Sequence, residues 1–356
     1  MPSHISHALL VEAALESLTV DRLDCSLTDD PRVHSVTLLG SQGPDVFLHN
    51  HRRKPRAFRY GALLHRKGNA GLVSSLARSA AEIRVFDPTD DDRNRAFLEV
   101  AAFTLGYISH VWLDRIMHPY INYSAGWRGV PDRDPDRPAM HAFLERIIDV
   151  QLLRYRCGVS VQEFRFFERL PSSSDDLAIL RTHVARAIRS SLRSAGDDHL
   201  LEQRLANALF DSLSYYRHTE SPSPEYFFLG RAREREGSIS SRWLSVVHPP
   251  EELITLDGLN RVHRYWQHPC DPSRTSHASV PDLFDRARKK TIEVFLLWWD
   301  ATGSPENPER TRVLETALGE ENLNDGITGD PPCRRQVCDP LPLLTLYRQM
   351  KRAFDR

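Results

Sequence analysis

Three side chains in the apolar stretch "GYISHVWLDRIMHPYI", residues 106–121, are of the types that bind metal: His110, Asp114 and His118. They recur every four residues. Eight residues of α-helix turn the chain only about 80° beyond two full turns, so the three form one stripe rising about 6 Å per step. Their neighbours Ile108, Val111, Trp112, Leu113, Ile116 and Met117 are apolar, which puts the stripe in a partly buried place. A buried carboxylate without a counter-charge costs several kcal/mol. An arginine such as Arg115 could supply that charge, with each histidine bonded to a neighbour. For the pattern His-x3-Asp-x3-His a divalent cation is the better answer. The stripe is too long for one ion to hold both histidines, so two or more are implied. Pro119, directly after His118, is expected to end or bend the helix.

More candidate ligands lie in the same half of the chain. "MHAFLE" places His141 and Glu145 four apart on one helix face, a common way to offer two ligands to one ion. "GSQGPDVF" puts Asp45 behind a Gly43-Pro44 turn that could aim a carboxylate into a cleft, and "GALLHRKGN" carries His65 after an apolar run. His4 and His7 flank the start of the first helix. Nitrogen and carboxylate ligands without thiolate suit catalytic zinc, and would also accept manganese or iron. His34, His49, His51, His183, His199, His218, His263 and His277 lack such a setting and are expected on the surface or in the core. The basic loop "HNHRRKPR" is either solvated or meets a phosphate.

These residues need elements to hold them, and the patterns are helical. "SHALLVEAALESL", "GNAGLVSSLARSAAEI", the run from about Arg93 to His118, and "PAMHAFLERIIDVQLLRYR" carry apolar residues at helical spacing, as do three later segments. Ser6 and Asn69 are placed to cap the first two, and Pro138 falls in the first turn of the fourth. "RVHSVTLLG" at 32–40 is the best candidate strand. Residues 302–342 read as loop before a short final helix. The fold class is all-α.

At 356 residues the chain can bury a large core. Its 47 basic and 48 acidic side chains leave a net charge of −1, so no electrostatic footprint for nucleic acid or an anionic membrane exists. No apolar run approaches a membrane span, and the start lacks the features of a secretory signal. The five cysteines (Cys25, Cys157, Cys270, Cys333, Cys338) are scattered and odd in number. A disulfide framework or cysteine-type zinc site is not expected. The expectation is a cytoplasmic protein with free thiols and no transmembrane segment.

Taken in order, "MPSHISH", "LGSQGPDVF", "ALLHRKG", "AFTLGYISHVWLDRIMHPYI" and "HAFLERIID" resemble the bacterial zinc-dependent phospholipase C family, whose fold is related to the zinc-dependent single-strand nucleases. "WQHP" at 266–269 and the helix at 281–300 are similar to the C-terminal part of its intracellular members. The resemblance implies a multi-helix phospholipase C/nuclease-like fold with two or three clustered Zn2+ ions. Residues 1–170 would form the metal-binding core, 176–330 a helical region packed on it, and 331–356 a tail with a short helix.

Carried over, Asp45, His65, His110 and Asp114 would surround a first ion, and His118, His141 and Glu145 a second. Asp114 would bridge to a third, which His7 would also bind. Secreted members complete that site with an N-terminal tryptophan that this chain lacks, leaving the place to His4 or water. The family chemistry is phosphodiester hydrolysis. Zinc lowers the pKa of bound water to about 7, and paired ions stabilise the attacking and leaving oxygens while that water attacks phosphorus. Asp45 is the expected catalytic residue, orienting or deprotonating the water. Asp149 or Glu99 could fix the histidine tautomers. The expected substrate is a phospholipid or small phosphodiester. Nucleic acid fits poorly, since no basic, aromatic-rich channel is legible. The alternatives are a zinc-dependent single-strand nuclease and a non-catalytic structural metalloprotein.

Overall fold

Residues that favour helix dominate the chain, and in a computed structural model 67% of it is helix against 4% strand. The protein is all-α. The structure describes residues 4–19, 30–84, 91–127, 130–220, 243–304, 306–329 and 333–354. Its helices are α1 (His4–Thr19), α2 (Pro31–Gly40), α3 (Asp45–Leu48), α4 (Phe58–Leu64), α5 (Asn69–Ile83), α6 (Asp91–Ala125), α7 (Met140–Cys157), α8 (Val161–Phe164), α9 (Ala178–Ser191), α10 (Leu201–Glu220), α11 (Val280–Thr302), α12 (Pro308–Leu318) and α13 (Leu343–Phe354). One antiparallel hairpin joins β1 (Trp266–His268) to β2 (Asp271–Ser276).

Helix α6 is the axis of the structure. Beyond its charged first turns and the stripe of His110, Asp114, His118 and Asn122, apolar and small residues spread around its circumference, leaving no broad face for water. From Val100 to Val111 every residue is buried. By length and composition α6 could cross a membrane, a run longer than the sequence reading allowed, yet 83% of its apolar window is buried within the protein. It is a core helix. α11 packs along it, and α2, α5, α1 and α7 complete the surround. α2 approaches most closely, because a Cβ on Gly106 would lie 2.4 Å from Ser41 N and Thr37 O. Any side chain there would push α2 off α6. That contact fixes Ser41 one turn from His110.

Several local expectations are corrected. Residues 32–40 form helix α2, not a strand: Asp30 caps it by accepting from Arg32 N at 2.8 Å, and Pro31 occupies its first turn. The cap outweighs the alternation that suggested a strand. The supposed loop 302–342 contains α12, capped by Asn307 and opened by Pro308. Asn69 does not cap α5. It accepts from Tyr107 Oη at 2.7 Å and donates to Leu64 O at 2.8 Å. Pro119 does not end α6, and the helix runs on to Ala125. The Arg115 carbonyl that Pro119 leaves without its helical donor is covered by Gly326 (φ +68°), where a Cβ would sit 2.3 Å from that oxygen. Cys270 and Cys333 form a disulfide with Cα atoms 5.8 Å apart. Their separation of 63 residues hides the pairing from any spacing argument. Cys157 and Cys338 are free, and Cys25 lies outside the described residues. The pairing removes one ground for expecting a cytoplasmic protein.

Ser6 is not the cap of α1 either. The carboxylate of Asp149 on α7 caps it from across the core, accepting from Ile5 N (3.3 Å), Ser6 N (2.7 Å) and Ser6 Oγ (2.7 Å). Arg146, fully buried like Asp149, stands 3.6 Å away, and His248 Nε2 lies at 3.0 Å. This one carboxylate locks α1 to α7. Burial works against its charge, but His248 and Arg146 hold Asp149 below the usual carboxylate range. The unfolded chain therefore takes up a proton first, and the stability that this charge contributes is present above about pH 5 and lost below about pH 4. Asp149→Asn, which strands Arg146, is expected to cost about 3–5 kcal/mol at pH 7 in denaturant unfolding. The difference from wild type should shrink as pH falls below about 4. A constant difference across pH would show that the carboxylate charge is not what holds the helices.

Candidate metal centre

The stripe on α6 faces four other elements. α3 brings Asp45, the end of α4 brings His65, α1 brings His7, and α7 brings His141 and Glu145. All eight sequence-derived residues meet in one buried cluster. Asp114 is at its middle. Four imidazole Nε2 atoms surround its carboxylate: His110 at 3.2 Å, His7 at 3.3 Å, His118 at 3.8 Å and His65 at 3.9 Å. Asp45 meets His65 Nε2 at 3.0 Å and His110 Nε2 at 3.9 Å. Glu145 meets His141 Nε2 at 3.1 Å and His118 Nε2 at 3.3 Å. Ligand atoms within 4.8 Å of one another form three sets: Asp45, His65 and His110; His7, His110 and Asp114; His118, His141 and Glu145.

The arginine alternative fails on geometry. Arg115 points away from Asp114 and donates to the carbonyls of Leu318, Gly319 and Glu321 at the end of α12. Among the described residues, the partners of Asp114 are imidazoles alone.

What decides the chemistry is the far side of each ring. His65 Nδ1 bonds Gly61 O at 2.8 Å, His110 Nδ1 bonds Ser41 O at 3.0 Å, and His118 Nδ1 bonds Leu323 O. His141 Nδ1 bonds Asn122 Oδ1 at 3.0 Å, and that amide orientation is fixed because Asn122 Nδ2 donates to Asn324 O at 2.8 Å. A carbonyl oxygen can only accept, so each Nδ1 carries the proton. In the neutral ring Nε2 then presents a lone pair, and each one points at a carboxylate oxygen. Acceptor facing acceptor at 3–4 Å is repulsive unless a proton or a cation lies between.

Several of these atoms have no hydrogen-bond partner at all: His110 Nε2, His7 Nδ1, both oxygens of Asp45, Asp114 Oδ2 and Glu145 Oε2. For His65, His110, His118 and His141 this is the arrangement a metal cluster needs, with the outer ring nitrogen bonded and the inner one turned to a carboxylate. Without metal, protons fill in. Burial opposes the charge on His118, yet Asp114 and Glu145 push it up to about 9, and Asp114 also raises His110 against burial. Burial lowers His7 and His141. The imidazoles in turn outweigh burial and hold Asp45, Asp114 and Glu145 below the ordinary carboxylate range.

The remaining candidates go elsewhere. His4 does not join His7. Its ring sits among Phe166, Tyr216 and His248, and its Nδ1 accepts from Arg146. His4, Asp149 and His248 are spaced to hold a metal, but Arg146 already supplies the cation there and Asp149 already receives four donors. Neither Asp149 nor Glu99 orients a ligand ring, since Glu99 pairs with Arg32 at 2.6 Å. His49 is a core residue stacked on Tyr215, whereas His51 is exposed.

Asn122 and His248 escaped the sequence reading. Asn122 had a signal: it extends the stripe as 110, 114, 118, 122. His248 had none, because "SVVHPP" carries no periodicity.

Two substitutions test this geometry through bound metal, read by chelator competition and elemental analysis. Asp114→Asn should remove more than one equivalent, because its carboxylate is shared between sets. Asn122→Ala, which frees the ring of His141, should weaken binding about 10–100-fold. Wild-type stoichiometry in the first, or wild-type affinity in the second, would refute the respective role. In comparisons with family models, curated proteins and solved structures, nothing matches this chain, so the side-chain geometry carries the functional reading.

Proposed function

We propose that the protein is a zinc-dependent phosphodiester hydrolase of the phospholipase C type, holding two or three zinc ions. The observation that carries this reading is the set of imidazole Nε2 atoms aimed at buried carboxylates, with His110 Nε2, both Asp45 oxygens, Asp114 Oδ2 and Glu145 Oε2 left without hydrogen-bond partners. Ligands of imidazole and carboxylate without thiolate suit zinc in a catalytic role. Asp45, His65, His110 and Asp114 would hold one ion, His118, His141 and Glu145 another, and His7 with Asp114 a third. When bound, clustered zinc supplies Lewis acidity at phosphorus and a nucleophile from water at neutral pH.

The chain's own residues do the rest. The Nδ1 bonds keep the rings of His65, His110, His118 and His141 in the tautomer that ligates through Nε2. Asp114, shared by the imidazoles around it, sets the spacing between sets. Asp45 opens α3 with neither oxygen in a hydrogen bond, so one can ligate while the other accepts the proton of the attacking water. His141 is the most open member, its side chain 26% exposed, which marks the edge where a substrate phosphate would enter. The balanced charge of −1 favours a lipid or small phosphodiester over nucleic acid.

The test offers zinc-loaded protein a diaryl phosphodiester, phosphatidylcholine, phosphatidylethanolamine and single-stranded DNA side by side. Phosphodiester or phospholipid turnover is expected, with Asp45→Asn at least about 100-fold slower. Preferential cleavage of DNA would replace this reading with the nuclease. Two or three bound zinc ions with no turnover would make the protein a structural metalloprotein.

A further inference from the structure

Residues far along the chain close one side of the metal centre. Leu323 N donates to His65 O at 2.8 Å, and Asn324 Nδ2 reaches the same carbonyl at 3.2 Å. Leu323 O accepts from His118 Nδ1, and Asn324 O accepts from Asn122, the amide that holds His141. Two neighbouring loop residues thus set three ligand histidines. The loop, 321–327, has no regular secondary structure and is shaped by its own polar side chains. Asn322 Nδ2 donates to Asp325 Oδ1 at 2.7 Å, Ile327 N to the same oxygen at 3.2 Å, and Asn324 N to Asn322 Oδ1 at 2.9 Å.

Asp325 is also tied outward, and both ties end on the disulfide. Its Oδ2 accepts from Cys333 N at 3.1 Å. Its main-chain oxygen accepts from His268 Nε2 at 2.9 Å, while His268 Nδ1 accepts from Cys270 N at 3.2 Å. The Cys270–Cys333 bond closes this ring covalently. Cys270, Asp325 and Cys333 are close enough to suggest a metal set, but three N–H donors already fill the Asp325 carboxylate.

We infer that loop 321–327 is the positioning element of the metal centre and that the Cys270–Cys333 disulfide is its redox latch. This inference rests on the metal reading of the eight residues. With the bond intact, Asp325 is held from both sides and the Leu323 carbonyl stays on His118. Both cysteines are only half-buried, within reach of a dithiol. Exchange passes two electrons and two protons from that dithiol to the two sulfurs. They become thiols while the dithiol closes to its own disulfide. The hairpin and residue 333 can then separate, the loop loses its outer ties, and the ring of His118 and the Asn122 amide that orients His141 lose their fixed acceptors.

The test compares three forms of the full chain: oxidised, reduced with dithiothreitol and then desalted under argon, and Cys270→Ser/Cys333→Ser. Zinc affinity is read by competition with a chromophoric chelator, and ligand geometry by the visible spectrum of the cobalt-substituted protein. Reduction should weaken zinc binding about 10–100-fold and change the cobalt spectrum, with both restored on reoxidation. The double variant should bind weakly whether or not dithiol is added. If it fails to fold, reduced wild type and Asp325→Asn, which loosens the loop with the disulfide intact, carry the test. Equal affinity and an unchanged cobalt spectrum in oxidised and reduced protein would overturn the latch while leaving the metal centre standing. A zinc equivalent gained on reduction would also overturn it, by making the sulfurs ligands. No zinc in any form would overturn the metal reading and the latch together.

Discussion

The structure depends on the cost of keeping carboxylates out of water. Asp45, Asp114 and Glu145 are almost wholly buried, and a buried charge is tolerated only when its counter-charge is built in. The chain solves this problem in two ways, one helical turn apart on α7. At Asp149 the answer is an arginine, a histidine and the first N–H groups of α1. At Glu145 it is imidazoles alone. The first solution is complete in the polypeptide and locks two helices. The second leaves oxygens and lone pairs facing each other, an arrangement that could hold a metal ion. One environment is satisfied by the polypeptide and the other could hold a metal ion, although both are made of buried His and carboxylate.

That arrangement requires an unbroken, deeply buried helix. If α6 stopped at Pro119, Asn122 would leave the stripe and His141 would lose the partner that orients its ring. The helix continues because its neighbours cover the defect, with Gly326 seated on the Arg115 carbonyl and the arginine side chain bound to the end of α12. Gly106, one turn before His110 on the same stripe, brings α2 close enough for the Ser41 carbonyl to reach His110. The same helix therefore presents ligands on one face and receives, through its contacts, the groups that orient them.

Much of this was legible in the sequence, for reasons that differ residue by residue. His110, Asp114 and His118 could be read because helical periodicity turns spacing into a shared face, and His141 with Glu145 for the same reason. Asp45, His65 and His7 could only be nominated as lone residues near turns or helix starts, and the resemblance to a known family supplied their grouping. The misread strand at 32–40 shows a local cap overriding side-chain preference. The helix after Asn307-Pro308 was hidden by the Gly, Pro and Asn around it. The disulfide and the role of loop 321–327 lay beyond reach, because they join residues tens or hundreds apart and act through main-chain atoms that sequence does not distinguish. Whether the polar residues near α1 belonged to the centre also turned on packing. Arg146, unremarked in sequence, draws His4 away from His7.

The orientation of three ligand rings by main-chain oxygens has an evolutionary consequence. A substitution can delete an orienting side chain, but it cannot delete the carbonyl of Gly61, Ser41 or Leu323. For His65, His110 and His118 the tautomer is inherited with the path of the backbone, and it survives any replacement that the fold itself survives. His141 alone depends on a side chain, at the most open edge of the cluster. Drift can therefore alter that edge one residue at a time, while the rest of the centre is kept or lost with the fold as a whole.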